Sequence, residues 1–434
     1  MHKLLYYIKF VGGHYLLLEL AALTSFLGFT LNPGSLGEFM RIAGAIFIFN
    51  VLIGNYRLKQ LTLGHIIFFA IFMLLLVIHF LVPDATVHRR SVRYFLAFPW
   101  LIMAIHCLAI RRSTAEHKLP EFLYLSTVIL AVFIQFIAYQ FFSTNESWGM
   151  YGNFHHFGYF ASLTIPLLWY FFPLSKGRVR FFLALTILAD MYLLFESGSR
   201  IAWLAFFSSI ILTALIFFRL KQMLIGIVLF ITISCLAVAL SGFSDAGNRI
   251  LDFFAQWRTE ERVALWADTV RLLSENSLPD WIFGHGIGSF RYHFEIFTNT
   301  SEASTSIYHV FPHNVFFQII FENGLIGFSM IFWGVTWMLL SLWRGHSRLR
   351  DKDDQNLIIV TFALLWINLV YCGLTQSFYS KFSLYPLSLI CGIAFVLLEK
   401  ASLNKPWHAG QLLKSFQKSK FSVLNHIGRY FKSW

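Results

Sequence analysis

The sequence predicts an all-α polytopic membrane protein with about twelve transmembrane helices and one large helical loop on the outer side. Of its 434 residues, 57% are hydrophobic and only 13% are charged, whereas a soluble domain carries roughly 25% charged residues. Aromatic residues make up 18% of the chain, which suits lipid-facing surfaces and aromatic belts at the membrane interfaces. A chain of this composition must use lipid as its main solvent.

Twelve apolar stretches are long enough to cross a bilayer, which takes about 20 residues in a helix. They lie near 12–31, 37–54, 62–82, 91–110, 120–142, 155–173, 179–196, 200–218, 222–241, 313–341, 355–378 and 383–399. We expect no cleavable signal peptide, because the first stretch is long, begins after Lys3 and Lys9, and lacks a clear small-residue cleavage site.

Basic residues predict the orientation, since short cytoplasmic loops retain Lys and Arg. They fall in every second loop: Arg57, Lys59, Arg111, Arg112, Lys118, Lys176, Arg178, Arg180, Arg219, Lys221, Arg344, Arg348, Arg350, Lys352 and the tail from Lys400. Both termini are therefore expected in the cytoplasm. The chain divides into nine spans (1–241), an outer loop (242–312), three further spans (313–399) and a basic cytoplasmic tail (400–434), which we expect along the anionic inner leaflet.

The outer loop, 242–312, is the obvious place for chemistry because it is the only long connection between predicted spans. Residues 248–273 predict an amphipathic helix, since apolar residues recur there at helical spacing. A turn region with Pro and Gly follows. Its Gly284, Gly286 and Gly288 either cradle a phosphate with backbone amides or only permit the turn, which is the commoner use of such glycines.

Several arginines are predicted on the outer side, against the orientation bias. Arg89, Arg90 and Arg93 lie together in HRRSVR, either as interfacial anchors or as a phosphate site, because guanidinium groups match phosphate oxygens two at a time. Arg200 opens a predicted helix, where the helix dipole disfavours a cation. Its anionic partner is either Glu196 or a ligand phosphate.

His313 follows Pro312 at the start of the tenth predicted span. A histidine at the membrane–water boundary titrates near neutral pH and is a candidate general base; the alternative is a hydrogen-bonding residue at a helix end. The four cysteines, Cys107, Cys235, Cys372 and Cys391, lie in apolar stretches and are interpreted as small core residues.

Four segments, in this order, resemble the bacterial O-antigen ligase and O-antigen polymerase superfamily of membrane glycosyltransferases. They are YGNFHHFGYFASL (151–163), SGSRIAWLAF (197–206), ERVALWADTVRLLSENSLPDWIFGHGIGSFR (261–291) and HNVFFQIIFENGLIGF (313–328). The third matches an Arg-x-x-x-Trp helix before Gly-x-Gly-x-Gly-x-Phe, and the fourth matches His-Asn-x-x-x-Gln before Glu-x-Gly-x-x-Gly. The resemblance covers roughly the second two-thirds of the chain.

The resemblance implies a GT-C-like fold in the bacterial inner membrane and an active site on the periplasmic side. The implied reaction transfers a glycan from a polyprenyl (undecaprenyl) diphosphate carrier to an acceptor hydroxyl, without a nucleotide sugar. An O-antigen ligase uses a sugar hydroxyl of the lipid A core, whereas a polymerase uses another carrier-linked repeat unit. The length of the chain and the position of the loop favour the ligase; a protein O-oligosaccharyltransferase fits the same motifs.

The resemblance also implies residue roles in an inverting, metal-independent displacement. His313 is the expected base, and Asn314 orients it or holds a sugar hydroxyl. The diphosphate is assigned to arginines, because the predicted outer side offers no clustered carboxylates for a metal. Those on motif positions are Arg200, Arg262 and Arg291; Arg89, Arg90 and Arg93 follow from the charge argument, and Arg258 from its place one turn before Arg262.

No cofactor is expected, and the expected partners are the carrier-linked glycan donor, the lipid A core acceptor and membrane lipids, with no nucleic acid. A flippase or transporter for lipid-linked glycans is the alternative from another class. Such a protein often consists of two halves related by an internal repeat, which is not apparent in this sequence. A long outer loop with His313 at its edge fits a site open to one side better.

Overall fold

A computed structural model describes residues 70–75, 77, 79, 119–142, 154–217, 221, 224–225, 227–228, 231–232, 261–300 and 311–401. Every regular element within these ranges is an α-helix. In chain order the helices are α1 (Leu119–Phe142), α2 (Phe154–Leu174), α3 (Gly177–Glu196), α4 (Arg200–Phe217), α5 (Glu261–Ser274), α6 (Leu278–Phe283), α7 (Phe290–Thr300), α8 (Val315–His346), α9 (Lys352–Thr375) and α10 (Lys381–Lys400). Arg89, Arg90, Arg93 and Arg258 lie outside the described residues, as do Cys107 and Cys235.

Five helices in the described part of the chain are long and apolar enough to cross a membrane, judged by length and composition. They belong to α2, α4, α8, α9 and α10 and span His155–Leu174, Arg200–Phe217, Val315–His346, Lys352–Thr375 and Phe382–Lys400. The fold is thus consistent with the predicted polytopic membrane protein. The number twelve stays a prediction. Much of the first half of the chain lies outside the described residues, and α1 and α3, at the predicted spans 120–142 and 179–196, are not among the five; α1 is apolar only over Val128–Phe141.

The core of the helical bundle is built around α9, which packs against α2, α4, α8 and α10. The fully buried rings of Tyr159 and Tyr371 stack with their centroids 4.0 Å apart. Asn368 donates a hydrogen bond to the Tyr159 hydroxyl at 2.5 Å, because a polar group away from water needs a partner within the protein. Cys372 and Cys391 are buried free thiols, which confirms their interpretation as core residues.

The basic residues and the candidate site residues lie at opposite ends of the helical bundle. The helix ends rich in Lys and Arg lie together, and there Lys400 pairs with Asp354 at 2.7 Å and the Phe217 and His346 rings lie 4.9 Å apart. The opposite end of the bundle holds the start of α2, the turn between α3 and α4, the start of α8 and the end of α9. The short helices α5, α6 and α7 pack at this second end, against the start of α8.

Helix α8 is interrupted at Gly324, whose backbone angles are φ 64° and ψ −174°. A side chain at Gly324 would lie 2.2 Å from the carbonyl oxygen of Ile282, so only glycine allows α6 to approach α8 this closely. Helix α6 begins with a capping box, in which Ser277 and Asp280 satisfy each other's backbone amides. The break therefore docks the outer helices onto the bundle. The span predicted at 313–341 is observed as a longer helix, Val315–His346, which is broken at Gly324.

Candidate active site

His313 is held at the start of α8 by the end of α9. Its Nδ1 lies 2.9 Å from the carbonyl oxygen of Thr375. Because a carbonyl oxygen only accepts hydrogen bonds, Nδ1 must be the donor. The neutral ring then carries its lone pair on Nε2, which is the form that a general base requires. The ring is partly exposed and lies 4.4 Å, centroid to centroid, from that of Phe311.

The backbone at His313 is in the left-handed region, with φ 50°, which is uncommon for a residue with a side chain. Its neighbours on both sides fix this conformation. The indole nitrogen of Trp266, on α5, donates a hydrogen bond to the Pro312 carbonyl oxygen at 3.1 Å. Asn314 is the N-cap of α8, and its side-chain oxygen accepts from the amides of Phe316 and Phe317. Asn314 thus caps the helix that begins directly after His313.

Arg262 lies one helical turn before Trp266 on the same face of α5, and its guanidinium contacts the start of α2. Its Nη2 donates to Nε2 of His155 at 2.9 Å. The other ring nitrogen of His155, Nδ1, lies 3.1 Å from Oγ of Ser199 in the turn before α4. Three elements that are far apart in sequence therefore meet at one imidazole.

A second histidine, His156, joins α2 to the segment between α9 and α10. Its ring stacks on that of Phe382 at 3.9 Å, and its Nδ1 lies 3.4 Å from Nε2 of Gln376. Gln376 directly follows Thr375, the partner of His313. The two adjacent histidines thus point to the two sides of the site, one toward Arg262 and the other toward the end of α9.

The glycine turn binds a carboxyl group that belongs to the protein. Gly284, Gly286 and Gly288 all have positive φ, at 74°, 91° and 80°. The Gly288 amide donates to Oε2 of Glu322 at 2.8 Å, and the Phe290 amide donates to Oε1 at 3.4 Å. The buried Glu322 side chain of α8 thus occupies the position that a cradled phosphate would take, so the turn docks the loop onto α8.

Other polar side chains of α8 form hydrogen bonds with the segment that precedes α10. Gln318 donates to Ser377 Oγ at 2.9 Å and accepts from the Phe378 amide at 2.9 Å. The Tyr379 hydroxyl donates to the side-chain oxygen of Asn323. The His-Asn-x-x-x-Gln pattern therefore fixes where Thr375 and Gln376 lie relative to His313.

Arg200 is the first residue of α4 and directly follows Ser199, the partner of His155. Of the two anionic partners considered for it, Glu196 makes its hydrogen bond elsewhere: its Oε2 accepts from Tyr139 at 2.7 Å.

Arg291 lies on α7, half exposed, and its Nε donates to Glu295 at 2.7 Å. It is not joined to His313 by any described contact, and it is paired with Glu295 in this structure. Within the described ranges no group of three or more His, Cys, Asp or Glu is arranged to hold a metal ion.

Sequence reasoning missed His155, Ser199 and Gln376 as site residues. His155 and Ser199 lie inside segments that carry the family resemblance, but the resemblance did not indicate their contacts. A histidine on an apolar helix has no periodic signal of its own, and its relation to Arg262 arises only when α5 folds back over the bundle. Trp266 lies within the predicted amphipathic helix as one of its apolar residues, and its indole N–H holds the peptide that precedes His313.

Residues 181–332 match the model of a protein family described as O-antigen ligase. The matched segment contains α4 to α7 complete, most of α3 and the first part of α8, and therefore Arg200, Arg262 and His313. No curated protein matches the chain. The family match confirms the resemblance to the O-antigen ligase and polymerase superfamily, and it indicates a membrane enzyme of that kind.

Proposed function

We propose that the protein is an O-antigen ligase, which transfers a glycan from a polyprenyl diphosphate carrier to a sugar hydroxyl of the lipid A core. The observation that carries the proposal is the hydrogen bond from His313 Nδ1 to the Thr375 carbonyl, which leaves the basic lone pair of the neutral ring on Nε2. This imidazole lies at the end of the bundle where Arg200 and Arg262 also lie. A base and phosphate-binding cations at one membrane boundary are the groups that such a transfer needs.

The reaction is a single displacement at the anomeric carbon of the donor sugar. The acceptor oxygen forms a bond to that carbon while its proton passes to Nε2 of His313. The bond between the anomeric carbon and the diphosphate oxygen breaks, and its electron pair leaves with the polyprenyl diphosphate. Because the oxygens attack and leave on opposite faces, the configuration inverts. The proton on His313 then returns to solvent at the membrane surface.

The leaving group gains negative charge as the bond breaks, so catalysis depends on fixed positive charge around it. Arg262 and Arg200 supply this charge in the proposal, and Arg291 adds to it after release from Glu295. Arg89, Arg90, Arg93 and Arg258 stay in the proposal on the charge argument and on helical spacing alone. With guanidinium groups opposite the diphosphate, no metal ion is required.

The site faces the periplasm of a bacterial inner membrane in this proposal, and both termini lie in the cytoplasm. The separation of the basic helix ends from the end that carries His313 supports this orientation. The extended prenyl chain of the donor then lies among the helices, and both substrates reach His313 from the same side of the membrane.

Reconstitution in lipid vesicles tests the proposal against its rivals. The full chain is supplied with a polyprenyl-diphosphate-linked glycan and with a lipid A core acceptor, and products are separated by size. A ligase yields glycan-bearing lipid A core and free carrier diphosphate. Longer carrier-linked glycan with unmodified core would identify a polymerase, and movement of the donor across the membrane with neither product would identify a flippase.

A further inference from the structure

The break at Gly324 divides α8 into two parts. The part after the break, residues 325–346, is about 33 Å long at about 1.5 Å per residue, so it alone crosses a hydrocarbon core of about 30 Å. Arg344 and His346 lie in its last turn. Large apolar side chains are exposed along its length, up to the residue that follows the break: Trp343, Leu340, Trp333, Phe332 and Leu325. This surface therefore suits lipid as far as the break.

The part before the break, residues 315–323, lies across the end of the bundle and does not lengthen the span. Continued as one straight helix, it would place His313 about 15 Å beyond Gly324. The side chains of His313, Gln318 and Asn323 instead form hydrogen bonds with residues 375–379, at the connection between α9 and α10. Both ends of this part are thus at the level at which α9 ends. Gly324 therefore marks the boundary between the membrane-spanning part and the outer helices.

Helix α6 is fixed at this boundary through the backbone. The amides of His285 and Gly286, which follow α6, donate to the carbonyl oxygens of Phe321 and Glu322 at 2.9 Å and 2.8 Å. A helix that ends leaves its last carbonyl oxygens without partners in a next turn, and the break in α8 provides such carbonyls. The level of α6 relative to the lipid is therefore set by α8.

Two large apolar side chains at the ends of α6 are exposed. Leu278, its first residue, is 73% exposed, and Phe283, its last residue, is 45% exposed. Between them, Trp281 packs against the buried rings of the outer helices. Single exposed apolar residues are ordinary on a protein surrounded by water. At the edge of a surface that suits lipid, however, their transfer into the membrane is favourable.

Helix α7 carries an exposed surface of the opposite kind. Its Arg291–Glu295 ion pair leaves the two side chains 49% and 41% exposed, and Tyr292, next to this pair, is 46% exposed. Charged groups are expensive within a membrane, so this surface suits water. The exposed apolar ends belong to α6, which docks at the boundary, and the charged pair belongs to α7.

We infer that α6 is an interfacial membrane-binding helix, which inserts Leu278 and Phe283 into the leaflet on the side of the candidate active site. Its partner is the lipid surface around the bundle, continuous with the exposed surface of α8 that ends at Leu325. Amphipathic segments of this kind lie in the interface, with their apolar side chains below the headgroups. The inference requires that the chain spans a membrane, and it does not depend on glycan transfer.

The contact with lipid also sets the height of the helix that supports the proposed base. Residues 275–277 join α5 to α6, and Trp266 on α5 donates to the Pro312 carbonyl oxygen directly before His313. With α6 in the leaflet, α5 is held close to the membrane surface. The arrangement keeps the site near the headgroups, where the diphosphate of a lipid-linked donor lies; this consequence, unlike the inference itself, rests on the proposed function.

Depth-dependent fluorescence quenching tests the inference. Leu278→Cys and Phe283→Cys variants of the full chain are labelled with a small fluorophore. They are reconstituted in vesicles of phosphatidylethanolamine and phosphatidylglycerol that contain nitroxide-labelled phospholipid. Tyr292→Cys is the matched control, because Tyr292 is as exposed as Phe283 but lies beside the ion pair. The unsubstituted chain, treated in the same way, gives the signal of the natural cysteines, and unfolding temperatures verify that each variant is folded.

We expect the labels of Leu278→Cys and Phe283→Cys to be quenched several-fold more strongly than that of Tyr292→Cys. Nitroxides near the headgroups should quench more than nitroxides at the ends of the acyl chains, because an interfacial helix lies only about 5–10 Å deep. Adding Phe283→Asp to the Leu278→Cys protein should weaken the quenching, since a carboxylate resists entry into lipid. Adding Tyr292→Asp to the same protein should leave it unchanged.

Two outcomes would overturn the inference. Labels of Leu278→Cys and Phe283→Cys that are quenched no more than that of Tyr292→Cys would show that α6 faces water or another part of the chain. Quenching that appears only after the protein is diluted with excess lipid would identify a second copy of the chain as the partner. None of these measurements involves glycan transfer, so failure of the inference and failure of the proposed function are seen in separate experiments.

Discussion

The indole of Trp266 donates a hydrogen bond to the carbonyl oxygen of Pro312 at 3.1 Å. This bond joins the outer helix α5 to the peptide unit directly before His313. The same histidine has φ 50°, a conformation that persists only where its surroundings determine it. The outer loop is thus part of the active-site framework, because it fixes the backbone from which the proposed base projects.

Substitution Trp266→Phe should slow glycan transfer while the protein stays folded. The phenyl ring retains most of the apolar contact but cannot donate to Pro312, so the conformation at His313 loses one support. We expect a drop in kcat of about 5-fold to 10-fold, corresponding to one neutral hydrogen bond of about 1 kcal/mol.

Trp333→Phe is the control for this experiment, because Trp333 lies on α8 with 52% of its surface exposed. Transfer rates of both variants are compared at equal amounts of reconstituted protein. Equal rates for the two variants would mean that the Trp266 hydrogen bond has no part in catalysis.

Three glycine substitutions should rank in a fixed order of stability. Gly324→Ala should abolish folding or cost more than about 4 kcal/mol, since its new methyl group would lie 2.2 Å from Ile282 O. Gly177→Ala meets no atom within 4 Å but keeps φ 54°, so it should cost about 1–2 kcal/mol. Gly373→Ala makes only an ordinary contact of 3.5 Å with Phe316 and should be neutral or stabilising in its helix.

Thermal unfolding of the purified variants in detergent provides the ranking. A Gly324→Ala protein as stable as Gly373→Ala would show that α6 does not approach the break in α8 as described. The Glu-x-Gly pattern was visible in the sequence, but the need for glycine was not. That need is steric and depends on α6, which lies about 40 residues away in the chain.

Glu322→Gln should destabilise the protein by about 1–3 kcal/mol, because a buried group that loses an acceptor leaves its partner unsatisfied. Glu322 accepts from the Gly288 and Phe290 amides, and the amide nitrogen of Gln would face one of these donors. Glu295→Gln is the matched control, since Glu295 forms an exposed ion pair with Arg291 of a kind worth about 0.3–0.5 kcal/mol. Equal unfolding temperatures for both variants would contradict the docking role of Glu322.

The helices were predictable wherever hydrophobicity alone determines them. The expected span at 200–218 is observed as Arg200–Phe217, and that at 355–378 as Lys352–Thr375. Of the amphipathic helix expected at 248–273, the described part is helical from Glu261 to Ser274. These elements follow from the length and periodicity of apolar residues, which are local properties of the chain.

The site was predictable only in part, because its contacts join distant segments. His313 was singled out from its place beside Pro312 and at a helix start, and this position is local. Its partner Thr375 is 62 residues away, and His155 lies 107 residues from Arg262. No local pattern gives such pairs. The glycine turn shows the same limit, because the turn itself was expected but its hydrogen-bond partner, the Glu322 side chain, was not.

Chelation of divalent cations should leave the transfer rate unchanged. In the proposed reaction the guanidinium groups of Arg200 and Arg262 take the place of a cation opposite the diphosphate. The rate is measured in vesicles after treatment with EDTA and again after addition of Mg²⁺, Mn²⁺ or Ca²⁺. A rate that falls on treatment and recovers with one of these ions would contradict a metal-independent reaction.

In the proposed reaction, Nε2 of His313 removes the proton from the acceptor hydroxyl. The most direct test of this step is the single-turnover rate of glycan transfer by His313→Ala, with saturating donor and acceptor and with His346→Ala as the matched histidine control. We expect His313→Ala to be slower by a factor of about 10² to 10⁴, the usual contribution of a general base, with His346→Ala close to the unmodified protein. A His313→Ala enzyme that transfers glycan as fast as the His346→Ala control would show that His313 is not the base.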